Sequence, residues 1–472
     1  MSKPTIIKDS AWAIISQSIS MITGVVISFV LPKFITVEAF GYWQLFLLYA
    51  SYVGLLHFGV GDGIYLKLGG QYFDKLDKGE LYPQIHLVSL SQIVFALICF
   101  LYAILFVPDE TRQFIFYALG VFIIVENIYK ILSFVLMATD KMIYNSKTVI
   151  IDKVLMLLSV LMLICFIDSP NAKYIISAFV LSHLVVLFVV LHKFKGILRI
   201  NYIFNSDNLK SVIGLASVGI VLTFSNVLST LIVGSCRMIV EKFWDITTFA
   251  QLSFAITISV FVLTFVSQIS YVLFPYLRRM TTENQRNVLN DSNWLLTLCS
   301  PYLYIFVFPL YFFIILWLPK YVEAAHYMTL IAPICFYEMR TSLLFNTFFK
   351  NLEKIRALLI LNILTVFLAL ILYFISVVLH DMEYMTISIL ISIIFKTMIM
   401  QVYLFKYYDL SIDYIYYWDI LFTVVMTLTF LLGGLSLALM IYIILVASYS
   451  ILLYCKSRQK ILLLINTYRR KK

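Results

Sequence analysis

The chain has 472 residues, of which 62% are hydrophobic and 13% are charged, and its 35 Lys and Arg outnumber its 25 Asp and Glu. The mean hydropathy of +0.96 excludes a soluble globular protein and indicates a chain that lipid surrounds. The net charge of +10 does not indicate nucleic-acid binding, because the basic residues flank apolar stretches, where anionic lipid head groups attract them.

Fourteen apolar stretches follow one another, and most hold roughly 20 residues or more, enough to cross a ~30 Å hydrocarbon core as a helix. Connecting segments of at most about two dozen residues leave no room for an extramembrane catalytic domain. The first stretch lacks a cleavage site before an outer loop, so we expect it to be retained. We number the stretches as spans one to fourteen, in the order 10–31, 41–60, 84–107, 113–139, 147–167, 173–192, 211–240, 247–275, 294–318, 324–349, 354–379, 383–405, 414–432 and 435–455.

The Lys and Arg residues favour alternate gaps between the spans. When Lys147, Lys173, Lys354 and Arg356, which lie at or next to span ends, are counted with the adjoining gaps, 25 of the 35 lie in every second gap from the N-terminal segment, five lie in the other gaps and five lie inside the spans. Because basic loops stay cytoplasmic, this pattern predicts that both termini are cytoplasmic. The tail over 456–472 is predicted to form a basic amphipathic helix on the inner membrane surface.

The two halves of the chain share a pattern that indicates an internal duplication. Six spans precede the proposed second copy, so both copies insert in the same orientation, which predicts two lobes with a site between them. We expect an N-terminal lobe over 1–210, a C-terminal lobe over 211–406, two additional spans over 407–455 and the tail over 456–472. A shift of 209 residues aligns Ser16, Ser20, Lys33, Phe34 and Phe40 with Ser225, Ser229, Lys242, Phe243 and Phe249.

Five cations lie within the spans, where a charge costs about 2.5–3.5 kcal/mol and usually faces an interior or a cavity. Lys153 lies about a turn and a half from the inner end of span five, where its side chain can extend to the interface. Lys130, Arg340 and Lys396 are the deepest, in spans four, ten and twelve, and Arg237 lies near the outer end of span seven. Arg suits bidentate phosphate contact, and Lys supplies a point charge. The alternative for each is a structural ion pair or a side chain that extends to the interface.

Acidic residues within the spans are candidates for ion binding. Glu126 lies one helical turn before Lys130 on the same face. Either the two residues form a self-neutralised pair, or Glu126 is a proton or sodium site. Glu338 and Arg340 are two residues apart and point to different faces, so they cannot neutralise each other along the helix, and we expect a partner from another span. Asp62, between two glycines at the inner end of span two, is a coupling candidate or a helix-end turn residue. The six cysteines are widely spaced and predict no zinc or redox site, and we expect no metal or cofactor.

A resemblance to a known family rests on four segments, LPKFITVEAFGYWQLF (31–46), GVGDGIYLKLGGQY (59–72), CRMIVEKFWDITTFAQLSFA (236–255) and LPKYVEAAHYMTLIAP (318–333). They resemble segments of polysaccharide-unit flippases in the multidrug/oligosaccharidyl-lipid/polysaccharide exporter superfamily. The resemblance implies an all-α, MATE-like polytopic membrane protein of about 14 transmembrane helices, with two six-helix lobes plus two C-terminal helices. It also implies a location in the bacterial cytoplasmic (inner) membrane.

The resemblance further implies a non-enzymatic function. The expected activity is movement of an undecaprenyl-pyrophosphate-linked oligosaccharide from the inner to the outer leaflet by alternating access, with H⁺ or Na⁺ as candidate coupling ions. Membrane lipids and the polysaccharide polymerase machinery are the further expected partners. We expect a cavity with Arg340 and Lys396 on its wall. The candidate pyrophosphate residues are Arg340, Lys396, Arg237 and Lys130, and the candidate coupling residues are Glu126, Asp62 and Glu338.

Two other functional classes remain open from the sequence. A small-molecule or drug antiporter of the same superfamily is the first alternative, because a similar fold does not fix the substrate. An exporter of cationic drugs should expose carboxylates in its cavity without compensating Lys or Arg. A membrane glycosyltransferase or polysaccharide polymerase ranks below it, since such an enzyme needs carboxylates and a metal site on outer loops.

Overall fold

A computed structural model of the protein describes residues 3–197, 206–259, 277–278, 280–411 and 417–469; over these ranges the chain is largely helical and contains no strand. Eleven helices in the described part are long and apolar enough to cross a membrane, and two shorter apolar helices coincide with spans eight and thirteen. Span ten is also helical, but it is broken into shorter pieces. The predicted all-α polytopic fold is therefore confirmed.

Spans one to seven are continuous helices, except that span two is interrupted. A 3-10 turn at Val53–His57 separates its two α-helices, and Phe58 and Gly59 then adopt left-handed backbone with φ of 49° and 77°. Polar caps begin several helices; the Asp109 side chain, for example, accepts a hydrogen bond from Arg112 N. The helices of this half are Lys3–Phe34, Val37–Ala50, Val60–Leu68, Lys78–Phe106, Glu110–Ala138, Met142–Phe166, Ala172–Lys193 and Ser206–Phe243.

The second half contains two breaks with clear causes. Pro333 has no N–H to donate, so it begins a new helical piece in span ten, and a π-helical turn over Thr341–Phe345 follows. Gly434, with φ of 68°, separates spans thirteen and fourteen. The helices of this half are Ile246–Ser259, Thr282–Tyr304, Val307–Trp317, Val322–Ile331, Pro333–Arg340, Asn346–Asn351, Ile355–Leu379, Met382–Tyr407 and Tyr417–Arg469.

The same helix neighbours recur in the two halves. Span one packs against span five as span seven packs against span eleven, and span four packs against span six as span ten packs against span twelve. Sequential pairs three and four, and five and six, also have counterparts six spans later. Each half is therefore a lobe of six spans. Spans thirteen and fourteen pack on spans nine and ten of the second lobe.

Side chains from alternate gaps meet at the same end of the bundle. Asp140, between spans four and five, accepts a 2.8 Å hydrogen bond from Phe73 N, between spans two and three. Burial raises the pKa of the Asp140 carboxyl, but this hydrogen bond and the contact with Lys141 outweigh that effect, so its pKa lies below its usual value. At the opposite end Glu110 pairs with Lys173 at 2.5 Å. The helices thus alternate in direction, as spans of a membrane protein must.

The two lobes touch along spans two and seven, which run antiparallel. Gly59 meets Gly219, and Gly63 meets Leu215 four residues further along. A Cβ at Gly219 would lie 2.0 Å from the Gly59 carbonyl oxygen, and one at Gly63 would lie 2.3 Å from that of Leu215. The missing side chains therefore let the two backbones come into direct contact, as small residues do between membrane helices. We call this contact the glycine seam.

Candidate functional site

A cavity of about 280 Å³ lies between the lobes, where spans one, two, five and six of the first lobe face span eight of the second. The aromatic rings of Phe40, Trp43 and Phe179 contribute apolar surface to its wall. Such a mixed lining suits a ligand that has both polar and apolar parts. The polar side chains of the wall come from Ser20, Thr23, Ser28, Gln44, Lys153 and Thr257.

Lys153 gives this inter-lobe cavity a positive charge. It is the charged member of the lining, and the other lining residues that the structure describes are neutral. The Lys153 ammonium lies 2.7 Å from Asp152 Oδ2, and the Asp152 carboxylate is buried between the helices behind the wall. The cavity therefore presents a cation, and no described carboxylate, to a ligand.

Arg237 reinforces this charge from span seven. Its Nη2 donates hydrogen bonds to both the backbone oxygen and Oε1 of Gln44, at 3.2 and 3.1 Å, and its Nε donates to Ser253 Oγ at 3.1 Å. Gln44 belongs to the cavity wall, so the guanidinium lies directly behind the wall and joins the two lobes. Among the described residues no carboxylate lies within ion-pair distance of Arg237.

Arg340 lies away from the inter-lobe cavity. Its guanidinium is buried and forms an ion pair with Asp419 of span thirteen, and it also donates a 3.0 Å hydrogen bond to Thr297 Oγ1. The expectation that Arg340 lines a cavity is therefore wrong for this conformation. A cation in hydrocarbon needs an anion, and Asp419 supplies it from a span outside the two lobes.

Lys396 is likewise buried in an ion pair. Its ammonium lies 2.7 Å from Glu338 Oε1 and donates to Ser229 Oγ at 2.9 Å, and the side chain is fully enclosed. The expectation that it lies on the cavity wall is also wrong here, whereas the expected partners of Glu338 and Arg340 from other spans are confirmed. Any role of Arg340 and Lys396 toward pyrophosphate, or of Glu338 in ion coupling, stays a prediction.

The first lobe contains a charged network across spans four, five and six. The predicted pair of Glu126 and Lys130 is confirmed, with 3.3 Å between Oε1 and Nζ. The other oxygen of Glu126 faces His183 Nε2 at 3.9 Å, and His183 Nδ1 lies 3.3 Å from Asp152 Oδ1. Lys153 completes the network. It therefore connects Lys130 to the wall of the inter-lobe cavity through buried groups.

Asp62 lies beside the glycine seam. Its Oδ2 accepts a 2.7 Å hydrogen bond from Thr223 Oγ1 of the other lobe. This bond makes Asp62 a link between the lobes, and its role in ion coupling stays a prediction.

Polar contacts close the end of the inter-lobe space that the distribution of Lys and Arg predicts to face outside, which we call the outer end. Arg112 of span four pairs with Glu241 of span seven at 3.0 Å, and Trp317 Nε1 donates to the Phe29 backbone oxygen at 3.0 Å. The Lys33 ammonium lies 3.3 Å from the centroid of the Trp317 ring. These contacts join the first lobe to the second at the outer ends of their helices.

Three features of the charged residues were not predicted from the sequence. Lys153 was not distinguished from a side chain that extends to the interface, His183 was not linked to Glu126, and Asp419 was not recognised as the partner of Arg340. Each involves helices that are far apart in sequence. The only available signal was chemical: an acidic residue, Asp419, in the first turn of an otherwise apolar span.

The fold and the inter-lobe cavity define a two-lobed polytopic membrane protein. No family model matches the sequence, and none of the curated proteins matches it. Solved structures do match. One is the lipid II flippase MurJ in an inward closed conformation, which is 13% identical with a TM-score of 0.68, over 96% of this chain and 100% of that chain.

Two multidrug transporters are similar as well. An inward-facing multidrug resistance MATE family transporter of the MOP superfamily is 12% identical with a TM-score of 0.58, over 88% of this chain and 96% of that chain. The MATE multidrug transporter DinF-BH is 16% identical with a TM-score of 0.55, over 86% of this chain and 96% of that chain. The chain therefore has the fold that MurJ and MATE transporters share.

Proposed function

We propose that the protein is a non-enzymatic flippase for a lipid-linked oligosaccharide. It moves an undecaprenyl-pyrophosphate-linked polysaccharide repeat unit from the inner to the outer leaflet of a bacterial cytoplasmic membrane. The observation that carries the proposal is the charge of the inter-lobe cavity: Lys153 lines it, Arg237 lies behind Gln44, and no described lining residue is acidic. A pyrophosphate away from water requires such cationic partners.

The size and lining of the cavity also support this substrate class. Sugars carry many hydroxyl groups, and the Ser, Thr and Gln side chains of the wall offer them hydrogen-bond partners. Aromatic rings beside these groups provide the apolar faces that a sugar ring or the first lipid units contact. A cavity of about 280 Å³ holds only part of the head group in this conformation, and the long lipid tail stays in the membrane.

The closed outer contacts and the fold support alternating access. The head group of the substrate, which is made in the cytoplasm, enters the inter-lobe cavity from the inner side while the ion pair of Arg112 and Glu241 keeps the outer end closed. Opening of these contacts then releases the head group outside. The alternative of a cationic-drug antiporter predicts an acidic cavity, and the described lining has the opposite sign.

The test is transport in liposomes that contain the purified protein and a fluorescent undecaprenyl-pyrophosphate oligosaccharide. An impermeant quencher reports how fast the labelled lipid crosses the bilayer. We expect flipping by the wild type and a rate lower by about tenfold or more in K153Q and R237Q, because K153Q loses the cation that lines the cavity and R237Q loses the cation behind Gln44.

K242Q is the matched control. It removes the same charge from the exposed outer end of the helix that carries Arg237, and we expect it to flip at the wild-type rate. Equal activity in K153Q, R237Q and wild type would contradict the proposed site. Export of a cationic dye without flipping of the labelled lipid would instead establish the antiporter alternative.

A further inference from the structure

One imidazole lies between two buried carboxylates in the first lobe. His183 is 8% exposed, and each of its ring nitrogens faces a carboxylate oxygen: Nε2 faces Glu126 Oε2, and Nδ1 faces Asp152 Oδ1. Both oxygens are shielded from solvent, and neither accepts a hydrogen bond from any described residue. A buried acceptor without a donor costs free energy, so the arrangement lacks a hydrogen.

The geometry shows which ring nitrogen of His183 carries a hydrogen and which does not. His183 Nδ1 lies 3.0 Å from the backbone oxygen of Phe179, which only accepts hydrogen bonds, so Nδ1 carries a hydrogen. In the neutral ring Nε2 then points its lone pair at Glu126 Oε2, 3.9 Å away. Two acceptors face each other across this gap. A proton added there makes the ring positive and turns the contact into an ion pair with Glu126 at 3.9 Å.

The surroundings fix the charge of the network in each state. The charged groups around the ring are Glu126 and Lys130 from span four and Asp152 and Lys153 from span five. Span four also contributes the titratable phenol of Tyr129, and the rings of Phe122 and Phe179 cover the imidazole. Two lysines balance two carboxylates, so the network is neutral when His183 is neutral. One added proton makes it positive.

We propose that His183 and Glu126 together bind one proton, and that this proton is linked to the anionic head group in the inter-lobe cavity. The second part rests on the proposed function. A protonated His183 places a positive charge beside Asp152, whose Oδ1 lies 3.3 Å from Nδ1, so Asp152 depends less on Lys153. Lys153 lines the cavity, and its ammonium becomes more available to an anion there. By linkage, the proton and the head group strengthen each other's binding.

The proton site can be tested without any ligand. In purified protein labelled with ¹⁵N-histidine, H183Q identifies the signal of His183 among the six histidines. Between about pH 5 and 8 we expect this signal to pass from the doubly to the singly protonated form. E126Q should shift the protonation equilibrium by about tenfold or more toward the neutral ring, because the negative charge 3.9 Å from Nε2 is lost.

E338Q is the control for this experiment. It makes the same chemical change in the buried pair of the other lobe and should leave the His183 signal as in wild type. A His183 signal that does not change over this pH range, or that responds equally to E126Q and E338Q, would overturn the proton site.

The linkage is tested by adding undecaprenyl pyrophosphate to the protein in weakly buffered detergent solution. A pH-indicator dye reports proton uptake, and ligand binding is measured in parallel. We expect uptake of up to about one proton per bound ligand in wild type and none in H183Q or E126Q. Binding without uptake overturns the linkage. Absence of binding in wild type overturns the proposed function and the linkage together, while the histidine experiment still decides the proton site.

Discussion

At the scale of single residues, the two lobes differ in how their buried charged side chains are paired. In the second lobe Arg340 and Lys396 are sealed, each against one carboxylate. In the first lobe the Lys130 side chain is 38% exposed, and the carboxylates of Glu126 and Asp152 each retain an oxygen without a donor. A sealed pair resists protonation change, whereas an incomplete network accepts a proton. The ion pairs of the second lobe are therefore less ready to change their protonation than the network of the first lobe.

The ion pair of Arg340 and Asp419 is expected to act on stability. R340Q leaves Asp419 as an unpaired charge, so unfolding in detergent should become easier by about 3–5 kcal/mol. Membrane abundance and the thermal midpoint of the purified protein measure the effect. The double variant R340M/D419L replaces the pair by apolar groups and should recover most of the loss.

A substrate role for Arg340 gives a different result. Normal thermal stability of R340Q, combined with abolished flipping, would show that Arg340 contacts the head group in another conformation. Failure of R340M/D419L to recover stability would show that Arg340 has further partners that matter.

The residue-scale contacts also show the limits of sequence reasoning. Glu126 and Lys130 were paired correctly because both lie on one helix, where spacing determines which side chains meet. Lys153 and His183 were not placed, because helices surrounded by lipid are apolar on most faces and periodicity then gives no rotation about the helix axis. Arg340 and Asp419 are 79 residues apart, so no local pattern joins them.

At the scale of the helices, spans two and seven form the direct backbone contact between the two lobes. Their backbones touch at the glycine seam, and Asp62 and Arg237 add polar links on either side of it. A contact between backbones tolerates rocking better than interlocked large side chains do. For the alternating access proposed above, we therefore propose spans two and seven as the axis about which the lobes change their relative position.

A large side chain at the glycine seam should disturb this axis. In G219L the added atoms meet the Gly59 backbone, so we expect a loss of stability of about 1–3 kcal/mol and reduced flipping. G214L is the matched control on the same helix, since a Cβ at Gly214 meets nothing within 4 Å. Thermal midpoints and liposome flipping rates of both variants decide the matter. Equal behaviour of G219L and G214L would exclude a close seam.

At the scale of the whole molecule, the fold followed from hydropathy because a membrane-spanning helix must satisfy its backbone internally and be about 20 apolar residues long. The two-lobed arrangement followed from six spans per copy. The break of span ten at Pro333 did not follow, since hydropathy does not report where a helix is interrupted. The boundaries of the lobes remain a proposal.

The orientation in the membrane is a prediction about the whole molecule. Lys75 and Lys320 are both exposed and lie in gaps of opposite type. In a cysteine-free background we expect an impermeant thiol reagent to label K320C in intact cells and K75C only after permeabilisation, because basic loops stay cytoplasmic. Labelling of K75C but not K320C in intact cells would reverse the assigned orientation.

The attachment of span thirteen through Asp419 has a consequence for any attempt to shorten the chain. A protein cut back to its two lobes would keep the Arg340 guanidinium in the hydrocarbon region and lose the carboxylate that balances it. A shortened form of this chain therefore has to change position 340 to an apolar residue in the same step as the deletion. Spans thirteen and fourteen therefore cannot be removed on their own, whether or not they contact a substrate.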